Sequence, residues 1–219
     1  FDVSNNSFKI GTLQLVAPNS PEKLLVGSTY RIQWTTSSNI KWVDLHYSTN
    51  NGQIWIPITG GLSYPADSSG FNWVVPASAS DSCLIRLRNT LDISYTDISN
   101  SVFTISRLKI ITPNGGQMWQ AGITQRITWN SEQVNFLAIE YTINDGTEWK
   151  SISPAYPADS GYYDWNIPED ISLVDTNYRV RLRDLASNAI MDTSDNNFTI
   201  SYIRLLAPNG GGGQQIGTS

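Results

Sequence analysis

Apolar side chains fall on alternate positions along this chain, the period of strands that bury one face, and no stretch shows a helical stripe. Tyr30, Ile32 and Trp34 alternate with Arg31 and Gln33, as Ile127 and Trp129 do with Arg126 and Thr128. Val43, Leu45 and Tyr47 alternate with Asp44 and His46, and Leu137, Ile139 and Tyr141 with Ala138 and Glu140. Further strands are expected around Phe71 and Trp73, Tyr163 and Trp165, Cys83 to Leu87, Tyr178 to Leu182, Phe103 to Ile105 and Phe198 to Ile200. Asn50-Asn51-Gly52 and Asn144-Asp145-Gly146 predict tight hairpin turns, because Asn, Asp and Gly tolerate the positive φ those turns need. The pattern predicts an all-β chain.

The same pattern occurs twice. A step of 95 residues carries Pro18-Asn19 to Pro113-Asn114 and on to Pro208-Asn209, and Gly27 to Gly122 and Gly217. It also carries Trp34 to Trp129, Ile85-Arg86-Leu87-Arg88 to Val180-Arg181-Leu182-Arg183, and Phe8 to Phe103 and Phe198. The step drifts by one to three residues in the middle, where Tyr64-Pro65-Ala66-Asp67 returns as Tyr156-Pro157-Ala158-Asp159 and Trp73 as Trp165. Two full modules are expected at 12–106 and 107–201, with the end of a preceding copy at 1–11 and the start of a following one at 202–219. Apolar Phe8, Ile10, Leu205 and Leu206 in those flanks would need neighbouring modules to cover them, so a longer polymer is expected. No Gly/Ser/Pro spacer separates Phe103-Thr104-Ile105 from Leu108 to Ile111, which predicts a junction at Ser106-Arg107 with little freedom.

Seven or eight short strands in about 95 residues, separated by turn signals, fit a tandem of immunoglobulin-like or fibronectin-III-like β-sandwiches. The run from Leu173 to Tyr178 is similar to the tyrosine corner of such folds, with Cys83 at that place in the first module.

One string is more specific: Ile111-Thr112-Pro113-Asn114-Gly115-Gly116-Gln117-Met118-Trp119, then Ala121-Gly122, Ile127-Thr128-Trp129 and Ser194-Asp195-Asn196-Asn197-Phe198-Thr199-Ile200. It resembles the repeat of the Kre9/Knh1-like, Ser-Thr-rich cell-surface family, over both modules and both flanks. The resemblance implies an Ig-like fold, an extracellular or cell-surface location and a part in wall or surface architecture, and it transfers no catalytic residue. Ser20, Pro21 and Lys23 depart from the Gly-Gly and Trp of the second copy.

Charge and composition narrow the function. Lys+Arg number 14 and Asp+Glu 19, a net charge of −5 that repels a phosphate backbone, so nucleic acid is not an expected partner. No run approaches the roughly 18 to 20 apolar residues of a membrane helix, and Phe1 opens no signal peptide, so any export signal is expected outside these residues. Cys83 is the one cysteine and His46 the one histidine, which excludes an intrachain disulfide, a cysteine zinc cluster and a multi-histidine centre. No phosphate loop, nucleophile elbow or paired carboxylates of a glycosidase occur, so an enzyme is not expected.

Three candidate sites follow. Trp34 with Trp129, Trp55 with Trp149 and Trp73 with Trp165 sit at matching places and read mostly as core, leaving Trp42 and Trp119 as the tryptophans expected at the surface. With Tyr64 and Tyr156 of the Tyr-Pro-Ala-Asp turns they form the candidate surface for a cell-surface or matrix polysaccharide, since a planar ring stacks on the apolar face of a sugar. Asp97, Ser99 and Asn100, and Asp192, Ser194 and Asp195, offer oxygens at a candidate calcium site near a module junction. The competing reading is that such residues bond their own backbone in turns and bulges, with no cofactor. Arg86, Arg88, Arg181 and Arg183 line an outer face, with cross-strand ion pairs to Asp44, His46 or Glu140 expected and an acidic glycan as the sharper alternative. The functional expectation is a non-catalytic stalk, spacer or fibre whose partners are neighbouring repeats of the same or an identical chain, the alternative being a carbohydrate-binding accessory module.

Overall fold

The computed structural model describes residues 11–169 and 175–201. The flanking partial copies, apart from Gly11, lie outside those residues, as do Leu173 and Val174 of the expected corner. In chain order the first half forms β1 (Leu13–Ala17), β2 (Lys23–Leu25), β3 (Thr29–Thr36), β4 (Trp42–Ser48), β5 (Ile56–Pro57), β6 (Tyr64–Pro65), β7 (Gly70–Val74), β8 (Ser80–Asn89) and β9 (Thr96–Ile98). A long strand, β10 (Phe103–Thr112), leads into β11 (Met118–Gln120), β12 (Thr124–Glu132), β13 (Phe136–Thr142), β14 (Lys150–Pro157), β15 (Tyr162–Asn166), β16 (Asp175–Asp184), β17 (Met191–Thr193) and β18 (Phe198–Ser201). Among the described residues the helical content is two single 3-10 turns, Ala66–Ser68 and Ala158–Ser160. The chain is all-β.

Each half is a sandwich. In the first, β1-β3-β7 faces a sheet in which β10, β8, β4 and β5 are neighbours, with β2 beside β10, β6 beside β4 and β9 beside β8. In the second, the far half of β10 pairs with β12, which pairs in turn with β15, facing β11-β18-β16-β13-β14 with β17 beside β16. Period-two alternation turns Leu15, Ile32, Trp34, Val43, Leu45, Trp73, Ile85, Leu87 and Phe103 into one core, and Ile110, Ile127, Trp129, Leu137, Ile139, Trp165, Val180, Leu182 and Phe198 into another. Trp34, Trp73, Trp129 and Trp165 are all buried, as their alternation predicts. The hairpin turns take the expected backbone, with positive φ at Asn51 and Gly52 and at Asp145 and Gly146.

The Tyr-Pro-Ala-Asp turns serve those cores. A buried indole N–H needs an acceptor. Trp34 Nε1 donates to Ala66 O at 2.8 Å and Trp129 Nε1 to Ala158 O at 2.8 Å. The short 3-10 turn after each proline delivers that carbonyl inward, and Ala66 and Ala158 are themselves fully buried. Tyr64 then packs edge-on against Trp34 and Phe71, and Tyr156 against Trp129 and Tyr163.

The passage from one sandwich to the other has no loop. β10 pairs with β8 and β2 through Phe103 to Ser106, then with β12 from Arg107 onward. Side chains brace the crossing. Lys23 Nζ donates to the carbonyl of Gln133 at 3.1 Å and to Asp184 Oδ2 at 2.9 Å, and Asp184 is 1% exposed. Ser106 Oγ donates to the same Gln133 carbonyl at 3.2 Å, while Arg107 reaches Glu132 at 2.7 Å and the Ala77 carbonyl at 2.7 Å. Leu25, from the first half, packs against the core of the second.

Candidate functional site

The outer face of the β4–β8 pair in the first sandwich, and of β13–β16 in the second, gathers Trp42 and the singled-out arginines with Asp44, His46 and Glu140. Along β4 the side chains of Trp42, Asp44 and His46 share the outward face, since Val43 and Leu45 are buried between them. Across the ladder Asp44 faces Arg88 and His46 faces Arg86. Trp42 is 46% exposed and lies opposite Pro65. Phe136 holds the same place in the second sandwich, opposite Pro157, and is 52% exposed. Each aromatic's carbonyl also accepts a backbone N–H from the turn after the long strand, Thr90 N to Trp42 O and Leu185 N to Phe136 O. Thus Trp42 has a counterpart, though not a tryptophan.

The remaining aromatic candidates do not join this surface. Trp119, expected at the surface, is only 7% exposed: it sits in β11 opposite Ile200 and packs on Phe198 at 5.0 Å and Trp165 at 6.3 Å. Leu24, beside Ile105 in the same parallel pairing, is the apolar residue at that place in the first sandwich, and it too is buried. Tyr64 is paired with Val43 and turns toward the core side, opposite to Trp42, and Tyr156, paired with Leu137, does the same. A single platform of all four rings is therefore not formed.

The charges on the two faces are arranged differently. In the second sandwich Glu140 faces Arg181, whose Nη2 lies 2.7 Å from one carboxylate oxygen and whose Nε donates to it at 2.9 Å. Arg183 approaches the other oxygen at 3.7 Å. In the first sandwich Arg88 meets Asp44 at 3.3 Å, while Arg86 forms no ion pair among the described residues. Arg86 instead lies over the Trp55 ring at 4.5 Å, as Arg181 lies over Trp149 at 4.1 Å. His46 Nδ1, Arg86 Nε and Arg88 Nε are buried with no hydrogen-bond partner among the described residues. Burial, with the guanidinium charges of Arg86 and Arg88, pushes the His46 imidazole below its usual range, against a smaller upward pull from Asp44. Burial and the neighbouring Arg88 also lower Arg86.

The residues singled out for calcium tie strands together. Asp97 Oδ2 accepts the Leu15 N–H at 2.7 Å and Asp192 Oδ2 the Ile110 N–H at 2.8 Å. Ser99 Oγ accepts from Ile85 N at 2.9 Å; Ser194 Oγ accepts from Val180 N at 3.1 Å and donates to the Pro113 carbonyl at 2.8 Å. Asn100 N donates to Asn19 Oδ1 at 2.6 Å and Asp195 N to Asn114 Oδ1 at 2.8 Å. These bonds fasten the opening strand of each sandwich to its closing hairpin. In the second sandwich Lys109 Nζ stands 3.0 Å from Asp195 and 3.5 Å from Asp192, where a bound cation would have to sit. Asp195 raises the Lys109 ammonium and is itself lowered by that hydrogen bond; burial raises Asp192 in spite of the Ile110 N–H and Lys109. Among the described residues no group of three or more His, Cys, Asp or Glu could hold a metal ion.

Grooves flank the junction on either side. One, of about 470 Å³, lies between Pro21, Glu22, Lys23 and Thr104 and the second half's Ala186, Ser187 and Ala189. The other, of about 500 Å³, runs past Leu25, Gly27, Arg107 and Asp192. Among the described residues no helix is long and apolar enough to cross a membrane.

No protein-family profile matches the chain, and no curated protein sequence does. Solved structures do resemble it. Fibronectin(III)-like modules of CbhA from Clostridium thermocellum match at 13% identity, over 87% of this chain and 95% of that one, with a TM-score of 0.30. Three Ig domains of titin, I67–I69, match at 8% identity over 89% of this chain and 67% of theirs, with a TM-score of 0.33. The N-terminal four Ig domains of Dscam1 match at 14% identity over 85% and 45%, with a TM-score of 0.32.

Proposed function

We propose that the chain is a non-catalytic, stiff segment of an extracellular or cell-surface array of Ig-like or fibronectin-III-like modules repeating every 95 residues, with boundaries at 12–106 and 107–201. The observation that carries this reading is the unbroken strand β10, which belongs to both sandwiches and is braced by the Lys23–Asp184 pair and by the Arg107 bond to the Ala77 carbonyl. A pair of independent binding domains gains nothing from a shared strand. A spacer or stalk does, because a continuous ladder transmits orientation without the slack of a linker. Its partners are then neighbouring modules, each contacting mainly the next. Small-angle scattering of the 219-residue chain tests this: one fixed inter-module angle is expected, and a profile that demands free reorientation overturns it.

A second reading has its own support, the matched exposure of Trp42 and Phe136 on the same face of successive sandwiches. An aromatic that recurs at one outward register position is suited to stacking on a polysaccharide laid along the array. Binding of insoluble polysaccharides by the whole chain, compared with Trp42→Ala and Phe136→Ala, tests it. Loss in the double variant supports it; unaltered binding in both single variants and the double removes it.

A further inference from the structure

The two outer faces present the same cation twice and place a carboxylate directly opposite it once, since Asp44 on the first face is taken up by Arg88. Arg86 and Arg181 hold corresponding places, each stacked on a tryptophan, Trp55 and Trp149. Opposite Arg181 stands a carboxylate that it grips through two nitrogens and that also faces Arg183. Opposite Arg86 stands His46, and there the donors Arg86 Nε and Arg88 Nε, with His46 Nδ1, lie buried without a partner among the described residues. A buried, unsatisfied charged donor is costly, and the second sandwich shows which group satisfies this geometry.

We infer that the Arg86–His46–Arg88 cluster of the first sandwich binds the carboxylate of an acidic saccharide, the external group taking the part that Glu140 plays within the second. The assignment rests on the polysaccharide-binding reading above and gives its substrate class. A carboxylate is favoured over other anions because Glu140 fits the same pair of guanidiniums in the second sandwich. A sugar acid is favoured over an acidic side chain because exposed Trp42 stands on the same strip, four residues along β4 and therefore about 13 Å from His46. A chain of uronic acid residues lying along β4 presents a carboxylate to Arg86 and a ring face to Trp42. The unpartnered nitrogens are covered while the His46, Arg86 and Arg88 side chains are part-exposed on the sheet face, so affinity comes from several contacts along one chain.

The test uses the full chain, followed by amide and side-chain NMR, with tetragalacturonic acid as the probe. Its methyl ester, a neutral cello-oligosaccharide and a tetraglutamate peptide serve as comparisons, all at matched ionic strength. Tetragalacturonic acid is expected to shift the Arg86 Nε–H and His46 resonances, and to bind about tenfold more tightly than its ester or the peptide, the worth of one charge-assisted bond. Arg86→Gln is expected to remove that advantage. His46→Glu is the second variant: it rebuilds the Glu140 arrangement, should fold at least as stably as the parent, and should abolish the carboxylate preference by filling the slot. Equal binding to the His46→Glu chain, equal binding of the peptide, or shifts reproduced by sodium chloride alone would overturn the assignment. If the neutral oligosaccharide binds and depends on Trp42 while the acid shows no preference, only the substrate class fails. If neither binds, the polysaccharide reading fails with it.

Discussion

Asp184 and Asn89 occupy the same place in the two sandwiches, one residue pair from the aromatic edge, and both are buried. Each fixes the turn that follows its strand, Asp184 Oδ1 by accepting the Ala186 N–H and Asn89 Oδ1 by accepting the Leu91 N–H. An amide and a carboxylate are interchangeable in that role. The other oxygen of Asp184 does something Asn89 cannot, which is to receive Lys23 from the preceding sandwich. The cation side shows the same division. Lys23 and Met118 sit in matching parallel pairings, facing Thr104 and Thr199, yet Lys23 is engaged at the junction and Met118 is 80% exposed. Positions inside each sandwich are held by the fold, whereas Lys23 and Asp184 meet each other across the junction.

The largest effect should come from the part that the halves share. Trp34 and Trp129 are each buried, and each satisfies its indole N–H on the carbonyl of the 3-10 turn. Trp129→Ala should cost about 3 to 5 kcal/mol, and Trp34→Ala a similar amount, as truncations of large buried aromatics do. Urea unfolding monitored by tyrosine and tryptophan fluorescence measures both. A variant that unfolds with the parent would remove that tryptophan from the core.

The junction should respond less, and in a way that separates the halves. Lys23→Met places the Met118 residue type at the junction and leaves Asp184 buried without its cation. With Lys23 itself 23% exposed, a loss of about 2 kcal/mol is expected, below the range for a fully buried pair. Asp184→Asn keeps the turn bond and removes the charge, so it should cost less. The double variant should be no worse than Lys23→Met alone, a loss smaller than the sum of the two single losses in a double-mutant cycle. Strict additivity would mean that the ion pair contributes nothing to the docking of the two sandwiches.

How much of the molecule is legible in its sequence depends on the distance over which each residue acts. Alternation over five to eight residues is local, so the strands, the inward tryptophans and the positive-φ turns can all be read from the pattern. Trp119 is misplaced by that reading although a signal exists: the 95-residue step sets it on Leu24, an apolar position, and a tryptophan without a tryptophan partner is not thereby exposed. Phe136 escapes it because the residue lies 94 positions from Trp42, where the register has drifted by one, and because the match is by role and not by identity. The Tyr-Pro-Ala-Asp turns recur because a buried indole needs their carbonyl, a requirement that emerges only when Trp34 meets Ala66, 32 residues on, and Trp129 meets Ala158, 29 residues on. Lys23 and Asp184 are 161 residues apart, and no pattern in either segment points to the other.

His46 and Glu140 offer a smaller, pH-dependent contrast. The groups facing His46 are Asp44 on its own strand, Arg86 and Arg88 on β8, and Pro57, without charge, on β5. Burial first, then the two guanidiniums, hold its folded-state pKa below that of the unfolded chain. Protonation therefore favours unfolding. Stability should be unaffected by this group above about pH 6.5 and should fall as the pH drops from there through the lowered folded-state value. His46→Gln removes the titration, so the difference between the two thermal melting curves should grow on acidification. A constant difference from about pH 7.5 down to about 5 would mean that the imidazole does not feel the cluster.

The smallest expected effect on stability is also the one that distinguishes rings kept for packing from rings kept for a ligand. Trp42 and Phe136 project outward beside Pro65 and Pro157, and neither belongs to a buried cluster. Truncating them removes little packing, so Trp42→Ala and Phe136→Ala should each change stability by no more than about 0.5 kcal/mol. A fold role would show itself as a larger loss. If stability holds while retention on a polysaccharide column drops, the rings are kept for a ligand. The ordering of the two variants then reads the chemistry: Trp42 stands on the strip with the unpaired Arg86, whereas the corresponding arginine beside Phe136 is already held by Glu140. On an acidic polysaccharide Trp42→Ala should therefore weaken retention more than Phe136→Ala, and on a neutral one the two should differ only as an indole differs from a phenyl ring. Equal losses on the acidic matrix would show that the rings act without the charges beside them.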